Sequence, residues 1–181
     1  LDEALAAGTA ILVAEDNATN QLVVARLLGQ RGYAYEIADN GALALAALEG
    51  RNFGLLLTDF HMPEMDGFEL TAAVRGKEAA SGAARLPIVA LTADALPGTE
   101  QKCLDAGMDG YLTKPIDSKA LTATLEKWLP GARDLRRRPE AKSAAVPAKP
   151  AAPQIDPAIF ERARIEEMFG GWNTEGRDFL V

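Results

Sequence analysis

Five short strand-like runs alternate with five helix-like stretches along the first 130 residues of the chain. The first run, residues 10–14, is apolar throughout and stops abruptly at polar residues. Such a run is typical of a strand that is buried on both faces of a parallel sheet. The alternation therefore predicts an α/β fold with a doubly wound, five-stranded parallel sheet and five helices. The predicted strands are residues 10–14, 33–38, 53–58, 87–91 and 110–113.

The stretches between these strands carry apolar residues at helical spacing and end at residues that favour helix boundaries. Gly32 and Gly50 are expected to end the first two helices. Asp39 or Asn40 is expected to cap the second helix. The third helix is predicted over residues 67–75. Pro97 is expected in the first turn of the fourth helix, and Asp117 is expected to cap the fifth.

The predicted domain covers residues 9–130 and follows a short linker remnant at residues 1–8. Residues 131–154 are rich in Ala, Pro and Arg, a composition that buries too little apolar surface to offset the entropy of ordering, so they predict a linker within a flexible tail. Residues 155–181 predict a partial helical segment. Because the sequence lacks an initiator Met and stops in mid-pattern, it is interpreted as a fragment of a longer protein.

The composition excludes several classes of function. The formal net charge is −7, which argues against direct nucleic-acid binding because that function usually needs a basic face. The single cysteine, Cys103, cannot form an intramolecular disulfide; it indicates a reducing, cytoplasmic compartment and is interpreted as a packing residue. No run of about 18 apolar residues occurs, so we expect no membrane contact by these residues.

Polar residues follow four of the five predicted strands: Glu15, Asp16, Asp59, Thr92 and Lys114. In a doubly wound sheet, the functional crevice lies beyond the carboxyl ends of the strands. Three carboxylates at that edge would repel one another unless a cation neutralised them, and Mg²⁺ prefers such oxygen ligands. A carboxylate can form an acyl phosphate, while a lysine and a hydroxyl can stabilise the phosphoryl charge. The set predicts Mg²⁺-dependent phosphoryl transfer.

Four motifs resemble those of the receiver domains of two-component response regulators. They are residues 11–17 (Ile-Leu-Val-Ala-Glu-Asp-Asn), 58–67 (Thr-Asp-Phe-His-Met-Pro-Glu-Met-Asp-Gly), 91–93 (Leu-Thr-Ala) and 114–115 (Lys-Pro). The resemblance extends over nearly all of residues 10–129. It implies a flavodoxin-like sheet with the strand order 2-1-3-4-5.

The resemblance also implies a role for each matching residue of the metal and phosphate site. Asp59 would be the phosphoacceptor, and Lys114 would pair with the phosphoryl group. Asp16 and Asp59 would bind Mg²⁺ directly, together with the backbone carbonyl of His61. Glu15 would act on the metal largely through water.

Two further residues would form a switch if the resemblance holds. Thr92 would move toward the phosphoryl group, and Tyr111 would rotate inward behind it. This pair would couple phosphorylation to the face formed by the fourth helix, the fifth strand and the fifth helix. The Lys114–Pro115 bond is expected to be cis.

Each of these residues also has a plainer interpretation. Asp16 and Asp59 could each be a helix cap or a turn residue, and Glu15 could belong to a solvated acidic loop. His61, the only histidine, could be a phosphohistidine or a metal ligand, although an exposed side chain beside the site is favoured. Tyr111 could be an ordinary strand aromatic, and Gly67 a purely structural turn residue.

Two segments place the resemblance within a phosphorelay. Residues 16–21 (Asp-Asn-Ala-Thr-Asn-Gln) are similar to receivers attached to hybrid sensor histidine kinases. Residues 155–181 resemble the truncated start of a histidine phosphotransfer domain and contain no histidine. A histidine kinase domain would then donate the phosphoryl group and a histidine phosphotransfer domain would accept it, both in the same protein. An anchor for that protein in the inner membrane is compatible with this interpretation.

Three other functions stay open at this point. The chain could be a stand-alone response regulator with a different output domain, or a receiver-like interaction module that accepts no phosphate. It could also be an aspartate-nucleophile phosphatase, although His61 stands where those enzymes carry a second aspartate. The sequence contains no ATP-binding glycine loop, so any kinase activity would lie in another part of the parent protein.

Overall fold

The computed structural model describes residues 1–93, 96, 98–130 and 132. Five strands lie in this part of the chain: β1 (Ala10–Ala14), β2 (Tyr35–Ala38), β3 (Phe53–Asp59), β4 (Ile88–Thr92) and β5 (Gly110–Thr113). All neighbouring strands pair in parallel, in the order β2-β1-β3-β4-β5. The doubly wound, flavodoxin-like sheet predicted from the sequence is therefore confirmed.

Six helices lie in the described residues, one more than the sequence predicted. They are α1 (Asp2–Ala6), α2 (Ala18–Gln30), α3 (Gly41–Ala47), α4 (Gly67–Ser81), α5 (Thr99–Asp105) and α6 (Ser118–Trp128). The additional helix is α1, which occupies the stretch interpreted as a linker remnant. Its Ala4 and Leu5 are partly buried against the core, and the Thr9 N–H donates to the Ala4 carbonyl (2.8 Å). These contacts join α1 to the start of β1.

The sheet carries a hydrophobic cluster on each face. All five residues of β1 are fully buried, with Leu12 packing among residues of α4 on one face and Ile11 among residues of α2 and α6 on the other. Burial on both faces explains why β1 is apolar throughout. Cys103 is also fully buried, which confirms its interpretation as a packing residue. Burial raises the pKa of its thiol.

Polar side chains cap four of the five helices that lead away from the carboxyl ends of the strands; the exception is α5, which follows Gly98. Asn40 caps α3, accepting from the Leu43 N–H (2.8 Å), so Asn40 rather than Asp39 is the cap of the second predicted helix. Asp117 caps α6, as predicted. Asp66 caps α4 in a capping box: its side chain accepts from the Glu69 N–H (2.8 Å), and the Glu69 side chain accepts from the Asp66 N–H (3.0 Å).

Strands β3 and β4 differ from the predicted ranges by one residue at their ends, and two further boundaries differ by more. Strand β2 begins at Tyr35 rather than residue 33, because the Tyr33 N–H still donates to the Leu28 carbonyl (3.2 Å) at the end of α2. Helix α4 continues six residues past Arg75, to Ser81. Its last turns lack apolar periodicity but are supported by an ion pair between Arg75 and Glu78 (2.8 Å).

Several predictions fall outside the described residues: the helical turn at Pro97, the segment 155–181, and the linker 131–154 apart from Ala132. None of the helices in the described part of the chain combines the length and the hydropathy needed to span a bilayer.

Candidate functional site

The polar residues that follow the strands meet at one edge of the sheet. Glu15 follows β1, Asp59 ends β3 and Lys114 follows β5. Because the strands are parallel, their carboxyl ends lie at the same edge, with β3 adjacent to β1 in the centre of the sheet. The structure therefore brings together residues that are up to about a hundred positions apart in the sequence.

Three carboxylates form the acidic part of this site. One carboxylate oxygen from each of Glu15, Asp16 and Asp59 lies within 4.8 Å of the others. Their burial is graded, since Glu15 is buried, Asp59 is half-buried and Asp16 is exposed. The cluster consequently opens to solvent on the side of Asp16.

Lys114 balances the charge of this cluster. Its Nζ lies 2.5 Å from Asp59 Oδ2 and 2.6 Å from Glu15 Oε2. Burial alone would lower the pKa of Lys114, but the hydrogen bonds and ion pairs with Asp59 and Glu15 outweigh it and raise the pKa. The ammonium group therefore stays charged at neutral pH and bridges two carboxylates that would otherwise repel each other.

The two oxygens of Glu15 have different surroundings. Oε1 accepts from the Asn20 side-chain amide (2.8 Å) and, at 3.4 Å, from the Asn17 N–H. Oε2 is buried and receives no well-directed hydrogen bond from the described residues; its contact with Lys114 is an ion pair. A buried carboxylate oxygen with unused capacity suits a site that takes a further cation or an ordered water.

The donor set fits Mg²⁺. Every candidate ligand is an oxygen, the carboxylates come from two adjacent strands, and one of them is exposed. Mg²⁺ favours one or two carboxylates together with waters and phosphate oxygens. Such an ion would neutralise the negative charge that Lys114 alone does not balance.

The loop after Asp59 is held close to the start of α4. The Gly67 N–H donates to the Phe60 carbonyl (3.0 Å), and a Cβ at Gly67 would lie 2.1 Å from the Asp59 carbonyl oxygen. Only glycine permits this approach. Gly67 therefore has a structural role, in agreement with its interpretation as a structural turn residue. His61 has an exposed side chain whose ring meets the edge of Phe60 at a centroid distance of 6.4 Å.

The two predicted switch residues lie on the neighbouring strands β4 and β5. Thr92 is fully buried, and its carbonyl accepts from the Lys114 N–H (2.7 Å). Tyr111 is 36% exposed and pairs in register with Ala90. The Lys114–Pro115 bond is cis, as expected.

The sequence interpretation assigned no role to Asn20 and Gln21. The Gln21 amide donates to the Glu15 carbonyl (2.7 Å) and to Asp39 Oδ1 (2.8 Å). The only sequence signal for these two contacts is that both residues lie in the segment 16–21, which as a whole resembles the receivers of hybrid kinases.

The sheet order, the carboxylate cluster and the paired lysine define the class of flavodoxin-like receiver modules. Residues 11–126 match the family described as the response regulator receiver domain, so the chain belongs to this family and to two-component signalling. It is similar to the sensor protein GacS of Pseudomonas syringae pv. syringae, with 41% identity over 118 residues. It is also similar to the sensor histidine kinase RcsC of Salmonella typhi, with 37% identity over 126 residues.

These matches cover 65% and 70% of the chain, but only 13% of each relative. Two solved structures are similar across most of their own length. The receiver domain of the sensor histidine kinase PA1611 from Pseudomonas aeruginosa has a TM-score of 0.59 and 37% identity, covering 67% of this chain and 97% of that one; it carries a magnesium ion in its active-site cleft. The receiver domain of Ssk1 from Saccharomyces cerevisiae, in complex with the histidine phosphotransfer protein Ypd1, has a TM-score of 0.63 and 30% identity, covering 66% and 87%.

Proposed function

We propose that this chain accepts a phosphoryl group from a phosphohistidine onto Asp59 in a Mg²⁺-dependent reaction and relays it onward. The observation that carries the proposal is the contact of Lys114 with both Asp59 Oδ2 and Glu15 Oε2. A cation held against a half-buried carboxylate, beside two further carboxylates that can hold a metal ion, suits phosphoryl transfer to that aspartate because positive charge stabilises the phosphoryl oxygens.

The chemistry is a displacement at phosphorus. A carboxylate oxygen of Asp59 forms the new O–P bond while the N–P bond of the phosphohistidine breaks, and the histidine nitrogen keeps the electron pair. Lys114, already in contact with Asp59, would pair with the oxygens of the transferred phosphoryl group. Asp16, Asp59 and the His61 carbonyl would hold Mg²⁺, with Glu15 acting through water. The ion supplies positive charge that stabilises the phosphoryl oxygens.

The switch is the second part of the proposal. Thr92 ends the strand next to Asp59 and would shift its hydroxyl toward the phosphoryl group. Tyr111, now partly exposed on β5, would rotate inward into the space behind Thr92. Phosphorylation would then alter the surface formed by α5, β5 and α6.

The relatives and the surface around the site support the choice of partners. GacS and RcsC are sensor proteins of which one is named a histidine kinase, and the Ssk1 receiver binds a phosphotransfer protein. Leu22, Val23 and Leu43 are 72%, 44% and 51% exposed in the second turn of α2 and the first turn of α3, and both helices begin at the edge where the site lies. We infer that a cytoplasmic histidine kinase domain and a phosphotransfer domain dock there, both in the same hybrid kinase, with residues 155–181 beginning the latter.

The acceptor assignment is tested by intact mass after incubation with Mg²⁺ and a small-molecule phosphodonor such as phosphoramidate. The wild-type chain is expected to gain one phosphoryl group, and Asp59→Asn none, because the amide is not a nucleophile for this step. Asp105→Asn is the matched control, since Asp105 is exposed at the end of α5 and away from the carboxyl ends of the strands. Labelling of Asp59→Asn at the wild-type level would contradict the assignment.

A further inference from the structure

Helix α2 carries, in its first turn, an amide that reaches back to the acidic cluster. The Nδ2 of Asn20 donates to Glu15 Oε1 at 2.8 Å, across five positions of sequence. Asn20 is half-buried, and Glu15 is fully buried. A hydrogen bond to a buried carboxylate is stronger than the same bond in water and costly to remove.

Among the described residues, Asn20 is the main hydrogen-bond donor to Glu15 Oε1. The other donor to Oε1, the Asn17 N–H, lies at 3.4 Å, near the limit for a hydrogen bond. Oε2 receives no directed hydrogen bond from the described residues and faces Lys114 at 2.6 Å. The rotation of the carboxylate is therefore set by Asn20 on one oxygen and by Lys114 on the other.

Asn20 is itself held in place by the cap of its helix. The Asn17 side chain accepts from the backbone N–H groups of Thr19 (2.9 Å) and Asn20 (3.2 Å), which fixes the first turn of α2. The next residue, Gln21, donates to the Glu15 carbonyl (2.7 Å). One helical turn thus holds both the backbone and the side chain of Glu15.

We propose that Asn20 is a positioning residue for the metal site: it fixes the Glu15 carboxylate within the acidic cluster, with Oε2 against Lys114. An amide suits this task because it donates a hydrogen bond without adding negative charge to a cluster that already holds three carboxylates. Without the amide, the Glu15 carboxylate is free to turn and to chelate Lys114 with both oxygens. Its geometry toward a bound cation would then be lost. This inference rests on the proposed Mg²⁺ site.

The test is the Mg²⁺ dissociation constant of the Asn20→Ala variant, measured by calorimetry without any phosphodonor. Mn²⁺ binding, followed by electron paramagnetic resonance of the free ion, extends the measurable range. We expect affinity to fall about three- to tenfold, at or below the lower end of the effects known for outer-shell partners of metal ligands. Asn52→Ala is the matched control, because Asn52 is exposed and precedes β3 at the opposite edge of the sheet.

A double-mutant cycle separates positioning from a general effect on the fold. If Asn20 acts through Glu15, then adding Asn20→Ala to Glu15→Ala changes metal affinity less than twofold. An equal loss in the wild-type and Glu15→Ala backgrounds would overturn the inference, as would unchanged affinity in the single variant. A wild-type chain that binds neither metal would instead contradict the proposed function itself.

Discussion

Lys114 is the residue on which the charge balance of the site depends. Its ammonium group lies within 2.6 Å of carboxylate oxygens from both Glu15 and Asp59, and its side chain is only 16% exposed. An ion pair at this depth differs from a surface pair, because removing the cation leaves two carboxylates facing each other with little water to screen them. The contact that would prepare Asp59 for the proposed phosphoryl transfer is therefore also expected to affect stability.

We expect Lys114→Met to lower the free energy of unfolding by about 1–3 kcal/mol at pH 7 without Mg²⁺. Because the folded-state pKa of Lys114 is raised above its ordinary 10.5, its ionic contribution is complete below that pH and is lost as the pH rises through the raised pKa. The stability difference between wild type and variant should therefore shrink above pH 10.5. Urea unfolding at a series of pH values measures both effects.

The matched control for this substitution is Lys102→Met, which removes an exposed lysine from α5. Adding Mg²⁺ should reduce the difference in the free energy of unfolding between Lys114→Met and wild type, since the ion replaces the missing positive charge. Equal stability of the Lys114 and Lys102 variants at pH 7 would show that the contacts of Lys114 with Glu15 and Asp59 do not stabilise the fold.

At the scale of elements, α4 is the helix whose start most directly shapes the site. Gly67, its first residue, lies so close to β3 that a Cβ would meet the Asp59 carbonyl oxygen at 2.1 Å. Gly76, in the same helix, has open space where a Cβ would be. Replacing each of these two glycines by alanine is therefore expected to change the stability of the protein in opposite directions.

Gly67→Ala is expected to lower the free energy of unfolding by about 1–3 kcal/mol, because the loop after Asp59 must shift to admit the methyl group. Gly76→Ala is expected to raise it by about 0.5–1 kcal/mol through higher helix propensity. Phosphorylation by a small-molecule donor should slow only in the Gly67 variant. Comparable stability and labelling rates for the two variants would contradict this account of the loop.

The elements also show how far the sequence alone could predict the fold. The strands and the caps at Asn40 and Asp117 were predictable, because burial on both faces and capping chemistry leave local signals. Helix α1 was not, since five residues carry too little periodicity and its position depends on packing against the core.

In the site, too, some features could be predicted from the sequence and others depend on tertiary contacts. Glu15, Asp59 and Lys114 were predictable as neighbours, because parallel strands bring their carboxyl ends to one edge. The hydrogen bond from Asn20 to Glu15 was not, because it depends on the direction in which α2 leaves β1. Topology thus predicts which residues meet, while the contacts that orient them need the structure.

At the scale of the whole molecule, the proposed relay needs both a reactive site and a surface on which a partner can dock. Leu22 is 72% exposed in α2, close to the edge that holds Asp59. Exposed apolar side chains beside a polar site are typical of protein interaction surfaces. Docking and chemistry should therefore be separable by mutation.

We expect Leu22→Asp to slow phosphoryl exchange with a phosphotransfer domain that reacts with the wild-type chain, by about tenfold, because a charge in an apolar contact is unfavourable. Labelling by phosphoramidate should be unchanged, since that small donor needs no docking surface. Leu104→Asp, at a 50% exposed position in α5, is the control. Equal exchange rates in the two variants would show that Leu22 does not belong to the docking surface.

The role of Asp59 as phosphoacceptor is tested most directly by locating the phosphoryl group on the wild-type chain. Borohydride reduces an aspartyl phosphate to homoserine, which peptide mass spectrometry assigns to a single position. We expect this conversion at residue 59 alone, and only when phosphodonor and Mg²⁺ are both present. Conversion at another aspartate, or none at all under these conditions, would contradict it.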